Sequence, residues 1–342
     1  LGVNLTPIVV KRVVSLDDLR GKSFAVDAFV VLHQFLALIR GRDGSLLTDS
    51  DGRVTSHLVG LAFRTTRLIA DYGMRLVFVF DGRPPELKRA EVESRREARE
   101  KSEEEYRAAV AVGDYKTAFS KAVMTGRLTS DGIADAKRLL DLLGIPWVQA
   151  PSEGEAQAAY IAARGDVWAS NSQDYDSLLF GAPRLVRYIT IQGEEWLPSK
   201  GRARKLQPEI IELEGLLQGI GVTREQLIDL AILIGTDFNQ GVRGIGPKTA
   251  LKLIRTHGSI EGLSPEIVAK LPPDVDAIRR IYLEPDVTDK YSLEEGGLDE
   301  EGLHGFLCGE RSFSRERVET MVRRMRRARG QSSLSRWMEG GA

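Results

Sequence analysis

Met74-Arg75-Leu76-Val77-Phe78-Val79-Phe80-Asp81 is the stretch whose reading decides the fold: a continuous apolar run, Leu76 to Phe80, that ends abruptly on a carboxylate. Unbroken apolar runs of this length mark strands covered on both faces, as in a parallel sheet between helices. Working outward, the spacing predicts a helix over 56–72 before it. Further upstream lies a second apolar stretch, 23–29, that carries Asp27 and leads into a helix over 30–39. Downstream the pattern predicts a helix over 130–143, a strand over 145–149, a helix over 154–163, a strand over 167–171 and a strand-like 184–191. From 207 onward the chain reads as helical. Strands that alternate with helices specify an α/β fold with a mixed, largely parallel central sheet flanked by helices.

Between these units, 86–107 is a polar stretch with opposite charges three and four residues apart and little to bury. It reads as a helix that stands off the body. Basic residues concentrate over 83–107, mixed with Glu, and again over 311–329, although the net charge is only −1. Each concentration alone is equally well a solvated helix face. The single Cys308 has no partner for a disulfide or a thiolate metal site, which removes zinc-finger and thiol-redox classes and fits a reducing compartment. No apolar run is long enough to span a bilayer, so an intracellular protein is expected.

Carboxylates carry the chemistry. Asp27 and Asp81 fall at the carboxyl ends of predicted strands, where open α/β sheets place their ligands. A helix N-cap for Asp27 and a turn for Asp81-Gly82 are the simpler accounts of each alone. Ser152-Glu153-Gly154-Glu155 reads as a capping box in which Glu155 reaches back to Ser152, leaving Glu153 unexplained. In Asp174-Tyr175-Asp176 an extended chain puts both carboxylates on one side. Asp237 follows an apolar helix, where a turn would explain it. Taken together, these acids at successive element ends suggest oxygen-only ligation of Mg²⁺ or Mn²⁺ rather than Zn²⁺. Two such ions about 4 Å apart suit phosphodiester hydrolysis without a protein nucleophile.

At this point the chain resembles the flap-endonuclease family of structure-specific 5′ nucleases. The resemblance rests on Val26-Asp27-Ala28, Val79-Phe80-Asp81-Gly82-Arg83-Pro84-Pro85, Pro151-Ser152-Glu153-Gly154-Glu155-Ala156, Asp174-Tyr175-Asp176 and Gly235-Thr236-Asp237, in the family's order and spacing. It implies a PIN-like 5′-nuclease fold with a helical arch and a helix-hairpin-helix-type DNA clamp. It also implies a two-metal site of Asp27, Asp81, Glu153, Glu155, Asp174, Asp176 and Asp237, with two Mg²⁺ that Mn²⁺ can replace. Lys88 and Arg95 match the basic residues that contact the scissile phosphate at the arch base. The arch corresponds to 84–127 and the clamp helices to 235–257, within one nuclease domain over 1–330.

Gly244-Ile245-Gly246-Pro247-Lys248 resembles the hairpin that grips duplex DNA, where Gly244, Gly246 and Lys248 are implied contacts and a K⁺ site is implied beside them. Gly2, Thr55, Arg311 and Ser314 are further DNA contacts by the same resemblance. His33 stands where relatives commonly have a base-stacking Tyr; a packed polar residue is the plainer account. Gln331, Leu334, Trp337 and Met338 resemble a peptide that docks on a sliding clamp, with Met338 replacing an aromatic residue, on a flexible tail over 331–342. The implied function is removal of 5′ flaps from branched DNA in replication and repair, with 5′-3′ exonuclease activity. The alternatives are a 5′ exonuclease or repair-bubble endonuclease relative, and a non-catalytic DNA scaffold on the sliding clamp. A monomer without membrane partners is expected, cytoplasmic in an archaeon or nuclear in a eukaryote.

Overall fold

The computed structural model describes residues 2–41, 44–112, 114, 121, 126–190, 194–197 and 202–339. Its main sheet holds β1 (Arg12–Val13), β2 (Ser23–Asp27), β3 (Arg75–Phe80), β4 (Trp147–Gln149), β5 (Ala169–Asn171) and β6 (Arg184–Arg187). A separate hairpin, β7 (Glu194–Leu197) with β8 (Arg202–Lys205), precedes the last strand of the main sheet, β9 (Glu209–Glu212). The order is β1-β9-β6-β5-β2-β3-β4. The strands from β6 to β4 run parallel, whereas β9 is antiparallel to both β6 and β1.

Period-two alternation explains how both faces are covered. Phe24, Val26, Phe78 and Phe80 enter a core shared with Phe35, Leu139 and Phe306, while Ala25, Val77, Val79 and Val148 face Ala158, Ile161 and Ala162. The smaller side chains on the second face let the helix Gly154–Ala163 lie close to the sheet. A further core joins Leu185 and Ile211 of the sheet to Leu230 and Tyr282 of the helical second half.

Register sets the functional edge. Asp27 lies opposite Val79, Phe80 opposite Gln149 and Val26 opposite Asn171, so the carboxyl ends of β2 to β5 are side by side. The sequence runs outward from β2 through β3 to β4, then returns to β5 and β6 on the other flank. That reversal opens a crevice at the strand ends, the place where α/β sheets bind ligands.

The helices Ser130–Leu143 and Gly154–Ala163 match expectation. The helix expected over 56–72 contains a π-helical segment, Gly60–Thr65, and Gly60 at its start packs so closely on the Phe35 ring that no Cβ would fit. The helical reading from 207 is corrected at its start: Glu209–Glu212 is a strand, chosen by its ladder to β6 and β1 rather than by local pattern. The strand expected over 184–191 ends at Arg187, where Tyr188 turns to φ 63°. Arch backbone is helical over Arg89–Ala111, after a 3₁₀ turn at Glu86–Lys88. Residues 113, 115–120 and 122–125 of the expected arch lie outside the described residues. The last helix, Arg315–Glu339, carries on through 331–339, where a flexible tail was expected.

An irregular strap over 284–299 crosses the outside of the helix Gly154–Ala163. Its anchor is the fully buried Gln157 amide, which donates to the Thr288 carbonyl at 3.0 Å and accepts from the Thr288 N–H at 2.7 Å. Gln157→Leu leaves both backbone groups unmatched and is expected to lower unfolding free energy by about 1–3 kcal/mol. Denaturant titration checks the loss, and faster proteolysis within 284–299 checks its location.

Candidate active site

Each expected acid is delivered to the crevice by a local feature. Asp27 ends β2 and caps the next helix, its Oδ1 accepting from Val30 N–H at 3.0 Å, so capping and site membership coexist. Asp81 follows β3 and accepts from Gly154 N–H at 2.6 Å; a Cβ on Gly154 would lie 2.6 Å from the same oxygen. Gly82 and Arg83 bond back to Ser152 and Pro151, which ties Asp81 beside Glu153.

The capping box at Ser152 is absent. Glu153 is itself the N-cap of Gly154–Ala163, and Glu155 turns inward to accept from Ser177 N–H and Oγ at 3.2 and 3.0 Å. The extended reading of Asp174-Tyr175-Asp176 is also corrected. Asp174 sits in a bend, and Asp176 begins the short helix Asp176–Leu179, yet both acids reach the site. Asp237 lies in the turn after Arg224–Ile234, held by Thr236 and Asn239.

These carboxylates repel one another in a poorly solvated space. Burial, then Asp81 and Asp174, pushes Asp27 well above the carboxylate range. Burial, then Asp176, Asp174 and Asp27, does the same to Glu155. Burial with Asp237 and Asp174 lifts Asp176 from 3.8 to about 7. Burial also raises Asp81, Glu153 and Asp174.

Two cations from the arch oppose this repulsion. Lys88 pairs with Glu153 and approaches Asp237 to 3.3 Å, while Arg95 grips both Asp237 oxygens at 2.8 and 2.9 Å. Burial works upward on Asp237, but Lys88 and Arg95 outweigh it and hold that carboxyl below its ordinary value. Among the described residues, no three Asp, Glu, His or Cys side chains close tightly enough to hold an ion unaided. The donor set nevertheless suits hard divalent cations: all oxygen, largely buried and mutually repulsive.

The remaining residues singled out in the sequence are placed as follows. A Cβ on Gly2 would lie 2.5 Å from Asp176 Oδ2, so the amino-terminal segment abuts the acids directly. His33 is half-buried on the helix Ala28–Leu38. Gly246 precedes the helix Pro247–His257, Lys248 is exposed in its first turn, and Gly244 takes φ +89° with open space where a Cβ would be. Elsewhere, Thr55 is buried and Arg311 is held by Asp135 through two 2.8 Å bonds, leaving Ser314 exposed. Gln331, Leu334, Trp337 and Met338 fall on the backbone of the last helix. Sequence reasoning missed Ser177, whose signal would have been a hydroxyl one residue past Asp176.

The raised Asp176 carries a sign. The folded chain keeps a proton between 3.8 and about 7 that the unfolded chain has released, so this group's contribution declines as pH rises through that window. Metal-free protein is therefore expected to show a downward component in Tm from pH 4 to 7 that Asp176→Asn removes. Calorimetric scans of both proteins across that range measure it.

Comparison with known proteins places the chain in a family. Residues 3–102 match the XPG N-terminal domain and residues 144–237 the XPG I-region. The Pyrococcus furiosus protein named Flap endonuclease 1 is 48% identical over 345 residues, covering 99% of this chain and all of that one. That of Methanopyrus kandleri is 52% identical over 317 residues, 91% of this chain and 90% of its own. The solved flap endonuclease-1 from Methanococcus jannaschii superposes with TM-score 0.77 at 40% identity, covering 97% of this chain and 100% of its own. The catalytic core of Rad2 in complex with DNA substrate shares the fold at TM-score 0.70 and 24% identity, over 94% of this chain and 97% of its own. Identity of this extent, carried on a sheet whose carboxyl edge gathers the acids, means that the chain belongs to the flap endonuclease family.

Proposed function

We propose that this flap endonuclease removes 5′ flaps from branched DNA with two Mg²⁺ ions, replaceable by Mn²⁺, held among Asp27, Asp81, Glu153, Glu155, Asp174, Asp176 and Asp237. The observation that carries the reading is the convergence of these buried acids at one sheet edge, opposed by Lys88 and Arg95 from the arch. Bound there, the ions would supply Lewis acidity at the scissile phosphodiester and compensate the carboxylate charge, some ligands acting through water.

The chain's own residues do the positioning. Lys88 and Arg95 reach the acids from the arch, so a phosphate that enters between arch and sheet meets both cations, which stabilise charge developing on its oxygens. Gly2 keeps the amino-terminal segment thin beside Asp176. Glycine backbone at Gly244 and Gly246, with exposed Lys248, offers N–H groups and charge to a duplex phosphate, beside a K⁺ site. His33 would stack on a base near the junction, and Thr55, Arg311 and Ser314 would border a 3′ end. The 331–339 segment, with Gln331, Leu334, Trp337 and Met338, would dock a sliding clamp. A monomer acting in an archaeal cytoplasm completes this reading, with 5′-3′ exonuclease activity at the same centre.

A 5′-labelled flap, a nicked duplex and a bubble, incubated with Mg²⁺, test the proposal. The flap is expected to be cut near its junction in preference to the bubble, with cleavage abolished in Asp174→Ala. Lys88→Ala should lower kcat about 10²–10³-fold. Equal cutting of flap and bubble, or an active Asp174→Ala, overturns it. Affinity for the flap should fall linearly with log salt, and less steeply in Lys248→Ala.

A further inference from the structure

We propose that Arg187 is a positioning residue that sets the spacing of Asp174 and Asp176 and couples the amino-terminal segment to them. The inference rests on the metal reading above and adds the residue that prepares the pair.

Arg187 ends β6 and is only 8% exposed. Its guanidinium is shared among groups on three segments. Nε donates to the Gln173 carbonyl at 2.8 Å, directly before Asp174. Nη1 donates to Tyr175 Oη at 2.7 Å, between the two acids, and to Glu209 at 3.3 Å on β9. Nη2 donates to Tyr188 Oη at 2.7 Å. The same plane lies over the rings of Tyr175 and Tyr188, 4.3 and 4.7 Å from their centroids.

Beyond Arg187, the Asp174-Tyr175-Asp176 turn is held by Ser172 Oγ, which accepts from Asp174 N–H at 3.2 Å, and by Ser177, which donates to Glu155. Asp174 sits in a bend, and Asp176 opens a helix of only four residues whose N-cap, Tyr175, provides no side-chain cap. A bend of this kind has several accessible conformations, and the fork of Arg187 selects one by holding the carbonyl on one side and the phenol within it. Tyr188 adopts φ 63°, strained for a non-glycine residue, and in that conformation its phenol meets the guanidinium.

The amino-terminal segment belongs to the same assembly. Tyr175 Oη lies 3.0 Å from Thr6 Oγ1, and Lys11 pairs with Glu209 at 2.7 Å. Val3 N–H donates to Asp176 Oδ1 at 3.3 Å, and Gly2 abuts the same carboxylate. One buried arginine thus bonds the segment that carries both acids and, through Tyr175 and Glu209, meets the amino-terminal segment. Lysine retains the charge beside Glu209 but lacks a planar fork to serve the carbonyl and both phenols together.

The test compares wild type, Arg187→Lys and Tyr175→Phe. Mn²⁺ binding to the metal-free proteins is measured by calorimetry, and the half-saturating Mg²⁺ for flap cleavage is measured alongside KM for the flap. Partners that orient metal ligands alter affinity by roughly ten- to a hundredfold when removed. Arg187→Lys should weaken Mn²⁺ binding by that factor and raise the half-saturating Mg²⁺ in parallel, with KM for the flap unchanged. Tyr175→Phe should shift both in the same direction by less. If Arg187→Lys does not fold, Tyr175→Phe decides alone. Wild-type Mn²⁺ affinity and Mg²⁺ requirement in the folded variants overturn the inference, even if they melt at lower temperature. Wild-type protein that binds no Mn²⁺ overturns the metal reading and this inference with it.

Discussion

Repulsion among buried carboxylates at the end of a parallel sheet is the constraint on which the rest of the structure depends. Left alone, Asp27, Glu155 and Asp176 have raised pKa values, because burial removes the water that would stabilise charge and neighbouring acids oppose ionisation. The fold supplies two partial answers. Backbone N–H groups at Val30, Gly154, Ser177 and Val3 each donate to one acid, and Lys88 and Arg95 bring positive charge from the arch. A site built this way is electrostatically incomplete, which favours a divalent cation and, with the arch cations present, an anionic phosphate.

Packing explains why the site can be so concentrated. Ala25 on β2 and Ala158 and Ala162 on the covering helix keep one face of the sheet thin, so the helix start at Gly154 reaches the Asp81 carboxylate. The opposite face carries Phe24, Phe78 and Phe80, which anchor the sheet in the larger core. Strand ends held between a dense face and a thin one have little freedom to spread in response to charge. In the second half, Tyr282 packs against Phe180 and Phe238, joining the chain just after Asp176 and the turn that carries Asp237 through one aromatic cluster.

Much of the fold was legible locally. The 74–80 run, the 130–143 and 154–163 helices and the polar arch each carried a period or composition that belonged to one element type. β9 was not legible: Glu209-Ile210-Ile211-Glu212 is short and has no period-two alternation to compete with a helical reading, and the ladders to β6 and β1 decide it. Glu155 was misassigned because Ser152-Glu153-Gly154-Glu155 satisfies a capping pattern, while the inward orientation depends on Ser177 from a distant segment.

By itself, the sequence determined the strand and helix periodicities, the all-oxygen character of the acidic set and the motif order that marks the family. These follow from side-chain chemistry and spacing along the chain. Tertiary structure decided which acids share a crevice, that Lys88 and Arg95 oppose them, that Thr55 and Arg311 are engaged internally, and that Arg187 braces the Asp174–Asp176 turn. Each of these depends on residues separated by tens to hundreds of positions. Electrostatic and hydrogen-bond energies depend on distance in space and on burial, neither of which local spacing encodes.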